Sequence, residues 1–456
     1  MEPVTFNEII EWTVGLPSKL SNISFTGVST DSRNIKPGEL YVPLKGENFD
    51  GHAFIDEAIK KGAAAYLSSE GSGMFGVPGI FVADTLTAYQ EIAKNYLKKH
   101  RVKVVAVTGS NGKTTTKDII FQILRNNFHT VATEKNFNNE VGVPRTILGL
   151  DKESEVLVIE LGMRGAGQIR SLARIVEPDV SVITNIGEAH FELLGSYQAI
   201  AQAKCEILEH AKPEGATILN ADDKWFKFCS DQARSKILSF GASNKADVKL
   251  LKKRGPDFNG YFLTVDVCGE IWKFHLPLLG EHNILNTLAA IAVTVSLGVP
   301  QEKVLPALES LEPTDKRMEV LKNPEGWTIL NDTYNASPSS VGRALDILKD
   351  LKAEGSKYAV LGDMLELGEI SLESHRNIGA LVYKSGADEL HTVGELGKEI
   401  AEGAKAAGMP AGHIFSWKDN NSLAEHLIKK IKKGDLVLVK GSRRMKMEEI
   451  SKILAG

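Results

Sequence analysis

The sequence predicts three consecutive α/β domains, the central one built on a buried parallel sheet and the last one Rossmann-like. Three observations carry that reading. The chain is 456 residues long, about three times the ~150-residue size of a common domain, so more than one core is expected. Short apolar runs followed by helical periodicity recur along it, the pattern of strands covered by helices. In the middle of the chain these runs are unbroken, as in strands buried on both faces of a parallel sheet.

In residues 1–98, Gly27 to Arg33 and Leu40 to Leu44 read as strands and Lys45 to Gly51 as a glycine-rich turn. Phe54 to Lys61 reads as a helix and Ala63 to Leu67 as a further strand. The lysine-rich segment Lys98 to Lys103 marks the end of this unit. In residues 99–313 the apolar runs Val104 to Val107, Val156 to Ile159, Val180 to Ile183 and Thr217 to Leu219 alternate with helical patterns. Phe258 to Phe274 reads as a hairpin turning near Cys268 and Gly269, and Asn283 to Leu297 as a closing helix. Pro313 and the charged run Thr314 to Glu319 read as a linker into residues 314–456. There, Thr328 to Leu330, Ala359 to Leu361, His391 to Val393 and Leu436 to Val439 restart the alternation.

Composition narrows the function. Hydrophobic residues at 43% and charged residues at 25% are the ordinary globular mixture and argue against disorder. Lys plus Arg total 54 against 58 Asp plus Glu, a net charge of -4, so no bulk basic field exists and no nucleic acid partner is expected. Cys205, Cys229 and Cys268 are an odd number without CxxC spacing, which fits a reducing, cytoplasmic compartment. The N-terminus is acidic where a signal peptide is basic, and no window nears the ~20 apolar residues of a membrane span, so no membrane insertion is expected. No long coiled-coil pattern demands an oligomer, and a monomer is expected.

Directly after the run Val104 to Val107 stands Thr108-Gly109-Ser110-Asn111-Gly112-Lys113-Thr114-Thr115, followed by Ile119, Ile120, Ile123 and Leu124 at helical spacing. A glycine-rich loop between a buried strand and a helix N-terminus is what a phosphate loop requires. Backbone N–H groups and the helix dipole favour the anion, Lys113 reaches the β/γ-phosphates, and the Thr114 hydroxyl can ligate Mg²⁺. The spacing is the short GxxGKT form, with Val107 where the longer pattern has glycine. The loop makes the central domain a P-loop ATPase-type domain and ATP the expected ligand.

Glu160 ends the run Val156 to Ile159, at the ligand-bearing edge of a parallel sheet. It reads either as a Mg²⁺ ligand or as a solvated strand-end acid. His190 follows the run Val180 to Ile183 to the same edge, and a single histidine there is as readily a packing residue. Lys204 falls inside the apolar stripe Ile200, Ile207, Leu208 and Ala211. Either its stem covers apolar surface while the ammonium reaches water, or burial lowers its pKa and leaves an amine able to take up CO₂ as a carbamate.

These features in this order resemble the ATP-dependent Mur ligases, nearly end to end. The resemblance runs through GVSTDSRNIKPGELYVPLKGENFDGHAF in the first unit. TGSNGKTTTK, NFNNEVGVP, IELGMRG, TNIGEAH and AKCEI carry it through the second, and NDTYNASPSS, LGDMLELG and VLVKGSR through the third. TYNASP is the most discriminating piece; Ser337 stands where the pattern more usually has asparagine. The resemblance implies an ADP-forming ligase that joins D-Ala-D-Ala to UDP-N-acetylmuramoyl-tripeptide through an acyl phosphate, a step of peptidoglycan synthesis. It implies that Gly109, Ser110, Asn111, Gly112, Lys113, Thr114 and Thr115 wrap the ATP phosphates, with Asn283, Arg317, Asp332 and Asn335 closing on the nucleotide. Of two Mg²⁺ ions, one would take Thr114 and Glu160, the other His190 and carbamylated Lys204. Thr30, Asp31, Ser32 and Arg33 would meet the uridine diphosphate, and Asn138 and Asn139 the muramoyl-peptide.

Overall fold

The computed structural model describes the chain except residues 72–74, 189–190, 244 and 314–315. The chain divides into two compact units, one of residues 1–250, 265–271 and 285–307 and one of residues 251–264, 272–284 and 308–456.

In the first unit, a five-stranded sheet runs in the order Leu16–Pro17, Gly79–Phe81, Ala65–Ser68, Leu40–Tyr41, Val28–Ser29. The expected strands are present but shorter, and the helix read at Phe54 to Lys61 is a 3₁₀ turn, Gly51–Phe54, leading into Ile55–Lys60. Sequence reading missed the helix Thr85–Lys99, which Asp84 caps through the Thr87 N–H at 2.7 Å. It buries Ala88, Tyr89, Ile92, Ala93 and Tyr96 in a core shared with Val104, Ala106, Ile147, Leu157 and Leu172.

The larger sheet of this unit places Thr130–Ala132, Val156–Glu160, Lys103–Thr108, Val180–Ile183, Ala216–Asn220 and Lys236–Gly241 side by side, all parallel. Lys103–Thr108 has the next two long strands on opposite sides of it, so a crevice opens at its carboxyl end where the strand order switches. The hairpin expected over Phe258 to Phe274 is present as Gly260–Val267 and Glu270–Leu276, turning at Cys268 and Gly269, and a further strand, Val248–Asp257, precedes it in the same sheet.

The second unit carries a six-stranded sheet in the order Glu319–Lys322, Thr328–Asp332, Leu436–Lys440, Lys357–Gly362, Glu389–Val393, Ile414–Trp417. All pairs are parallel except the first. Glu319, the last residue of the charged run expected as linker, therefore begins an edge strand, Glu319–Lys322, which is short and charged at both ends. Among the described residues no helix is long and apolar enough to cross a membrane.

Candidate active site

The phosphate loop follows the strand Lys103–Thr108 and leads into the helix Lys113–Leu124. Gly112 precedes that helix at φ 79°, a left-handed conformation natural to glycine. A Cβ there would stand 2.4 Å from Asn286 Oδ1, and one on Gly109, at φ 146°, 2.0 Å from Thr184 Oγ1, so a side chain at either would push these neighbours aside and strain the backbone. The loop after the neighbouring strand holds this one in shape. The Ser110 N–H donates to Asn185 O at 2.9 Å, the Asn111 N–H to Asn185 Oδ1 at 3.0 Å, and the Thr184 hydroxyl to Asn111 O at 2.6 Å. Lys113 Nζ folds back on Gly109 O at 2.8 Å and Ser110 O at 3.3 Å, beside where the phosphates of a nucleotide would lie.

Parallel register sets Glu160 beside Val107, one residue short of the loop. Glu160 is buried; its Oε1 accepts from Asn138 Nδ2 at 2.7 Å and its backbone N–H donates to Thr133 Oγ1 at 3.0 Å. Its Oε2 is buried with no partner. Lys204, in the helix Tyr197–Cys205, is 0% exposed, and its Nζ also has no partner. The apolar-stripe position of Lys204 thus marks true burial, not a stem with its ammonium in water. Burial, and then the Lys113 charge, hold its amine well below the usual lysine range, against the pull of Glu160 and Glu206. An uncompensated carboxylate oxygen and an amine in one buried site fit a divalent cation and a carbamate, both of which supply the missing partners.

Other expected residues are held by local contacts. Asn139 Oδ1 accepts the Gly142 N–H at 2.9 Å at the start of the helix Gly142–Ile147. Asp31 takes Arg33 Nε and Nη2, each at 2.9 Å, and that pairing holds its pKa down at about 2. Ser32 is buried in the same turn. His190 lies outside the described residues. Among the described residues one cluster has metal-type ligands, Asp50, His52 and Glu70. It is already closed: His52 Nδ1 meets Asp50 at 2.7 Å, His52 Nε2 accepts the Ser69 N–H at 3.1 Å, and Lys45 reaches Asp50 at 3.1 Å and Glu70 at 3.6 Å.

In the second unit, Asp332 ends its strand opposite Lys440. Lys440 Nζ, 2% exposed, meets Asp332 Oδ2 at 2.5 Å and Asn335 O at 2.9 Å. Arg317 stacks over Tyr334 at 4.0 Å, with Arg443 over the same ring at 5.1 Å. Asn283 Nδ2 donates to Leu279 O at 2.8 Å. A cavity of about 210 Å³ opens between Tyr334, Asn335, Glu366, Ser442, Arg443 and Arg444. Sequence reading did not single out Tyr334 or Glu366, whose one signal is that each lies in a motif of the resemblance; Arg443 and Arg444 belong to a basic C-terminal stretch that reads in part as substrate contacts.

A phosphate loop at a sheet switch point, framed by a buried carboxylate and lysine, defines a nucleotide-binding α/β enzyme class. The chain belongs to the Mur ligase family. It matches the Mur ligase middle domain over residues 107–294, the Mur ligase, glutamate ligase domain over 316–443 and the Mur ligase family, catalytic domain over 24–107. It is 37% identical to the UDP-N-acetylmuramoyl-tripeptide--D-alanyl-D-alanine ligase of Bacillus subtilis, over 98% of this chain and 96% of that protein. It is 34% identical to the same-named ligase of Escherichia coli, over 95% and 94%. Its fold matches a crystal structure of MurF from Acinetobacter baumannii with TM-score 0.91 at 29% identity, covering 100% of this chain and 99% of that one. The MurF ligase of Thermotoga maritima in complex with ADP matches at TM-score 0.83 and 29% identity, over 94% and 97%.

Proposed function

We propose that this protein joins D-Ala-D-Ala to UDP-N-acetylmuramoyl-tripeptide at the expense of ATP, forming the pentapeptide precursor of peptidoglycan in the cytoplasm, as a monomer. The observation that carries the reading is the phosphate loop with the partnerless Glu160 Oε2 and Lys204 Nζ beside it.

A carboxylate is too poor an electrophile to acylate an amine. The tripeptide carboxylate therefore attacks the γ-phosphate, releasing ADP and leaving an acyl phosphate; the dipeptide amine then attacks that carbonyl and phosphate departs. The electrostatic obstacle is the approach of one anion to another. Lys113 and the N–H groups of Gly109 to Thr115 hold the phosphates. Thr114 and Glu160 would hold one Mg²⁺, and Lys204 as its carbamate, with His190, the second. When bound, Mg²⁺ offsets the negative charge of the phosphates and the attacking carboxylate. Asn138 fixes the rotamer of Glu160 and faces the peptide together with Asn139. Thr30, Asp31, Ser32 and Arg33 take the uridine diphosphate, and Asn283, Arg317, Asp332 and Asn335 the rest of the nucleotide. The cavity at Tyr334 suits the dipeptide, with Arg443 or Arg444 for its carboxylate and Glu366 near its amine.

The division of labour we propose is residues 1–98 for the uridine handle, 99–313 for ATP and 314–456 for the dipeptide. Phosphate release is measured with ATP, Mg²⁺, UDP-N-acetylmuramoyl-tripeptide and D-Ala-D-Ala, each omitted in turn. Release requires all four; release indifferent to the peptides would instead indicate an ATPase that couples hydrolysis to a protein partner.

A further inference from the structure

Cys205 and Cys229 are 24 positions apart in sequence, yet their sulfurs lie 3.1 Å from each other, the Cys205 thiol donating to the Cys229 sulfur. Both are buried, at 1% and 3% exposure, while Cys268 is exposed. Cys205 is the residue after Lys204 and the last of the helix Tyr197–Cys205; Cys229 belongs to the short helix Phe226–Ser230. We propose that this pair is an oxidation site, and that its disulfide switches the enzyme off by moving Lys204. The second half of this inference rests on the role proposed for Lys204.

A disulfide needs its sulfurs about 2.05 Å apart, so closure draws the two helices together by about 1 Å. Neither end yields freely. Glu206, on the far side of Cys205, accepts the Gly167 N–H at 2.7 Å and the Arg170 N–H at 3.0 Å. Just before the Cys229 helix, Asp223 accepts the Ile186 N–H at 2.7 Å and the Trp225 N–H at 2.9 Å. The loop it holds is the one that braces Ser110 through Gly187. The pull is therefore felt at Lys204 and at the phosphate loop, and a misplacement of about 1 Å can cost ~10²-fold in rate.

The oxidant is a peroxide. One sulfur attacks a peroxide oxygen, the O–O bond breaks, and a sulfenic acid and water form. The second sulfur then attacks the first, the S–O bond breaks, the S–S bond forms and a second water leaves, so two thiols and one hydrogen peroxide give one disulfide and two waters.

The full-length enzyme is treated with hydrogen peroxide, then assayed for ligation and digested without reduction. We expect a linked Cys205–Cys229 peptide two hydrogens lighter than its parts, a fall in activity of at least tenfold, and recovery with dithiothreitol. Cys229→Ala and, separately, Cys205→Ala should resist the inactivation, and Cys268→Ser should not. Absence of the linked peptide while Cys268 is oxidised overturns the site. A linked enzyme at full activity, or equal inactivation of a cysteine variant, overturns the switch while leaving the ligase reading intact; loss of ligation before any peroxide would be the failure of that reading.

Discussion

Two parallel sheets in this molecule present charged residues at the same place, the carboxyl ends of their strands, and treat them in opposite ways. Beside the phosphate loop, Glu160 Oε2, Lys204 Nζ and Thr116 Oγ1 are buried without partners. At the end of Thr328–Asp332, Lys440 is as deeply buried but is matched to Asp332 and Asn335. Unmatched buried polar atoms cost about 1–3 kcal/mol each and persist where a ligand completes them. Matched ones need no ligand to offset their burial; among the described residues near Tyr334, Arg317 Nε is buried without a partner.

The contrast can be broken by substitution. Lys113→Ala should lower ligation by about 10³-fold with the cooperative unfolding transition retained; loss of that transition would make the lysine structural. Lys204→Ala should cost about 10²-fold in rate, and short carboxylic acids should restore part of it if the carbamate is its working form. Lys204→Met should raise the melting temperature, because an unpartnered amine is removed. With its folded pKa depressed, the unfolded chain binds more protons, so wild-type stability rises with pH from that lowered pKa up to about 10.5, and the variant should lose this rise.

On the matched side the signs reverse. Lys440→Met should destabilise the second unit by about 1–3 kcal/mol in urea unfolding, since it takes away the donor shared by the half-buried Asp332 carboxylate and the Asn335 carbonyl. The smallest effect concerns acid. His391, fully buried and stacked on Phe415 at 4.9 Å, is held neutral by burial with a pKa of about 4. Its unfolded form binds protons first, so stability should fall as pH drops from about 6.5 through 4. His391→Phe should flatten that slope in a pH series of thermal melts.

What could be read from the sequence follows from how local each signal is. The phosphate loop is eight consecutive residues and needs only the strand before it and the helix after it. Glu160 and Lys204 were legible because each breaks a local apolar pattern. The bond from Asn138 to Glu160 spans 22 positions and the thiol contact 24, and no periodicity encodes such pairings. The edge strand Glu319–Lys322 escaped because it is four residues long and its two end residues are charged, which leaves only two apolar positions to signal it. The helix Thr85–Lys99 had a capping aspartate and a regular apolar stripe, and a period count over that window would have found it.

That helix has a further consequence. Tyr96 donates its hydroxyl to Leu150 O at 2.8 Å and accepts the Glu2 N–H at 2.7 Å, tying the first residues of the chain to the far side of the phosphate-binding sheet. The uridine-handle segment is therefore not a detachable cassette. Grafting residues 1–98 from a relative would import half of a packed interface, and a working chimera would have to carry the partners of Tyr96 and Ile92 with it. Recombination between such ligases is thus more readily tolerated downstream of this shared core than at the boundary the sequence motifs suggest.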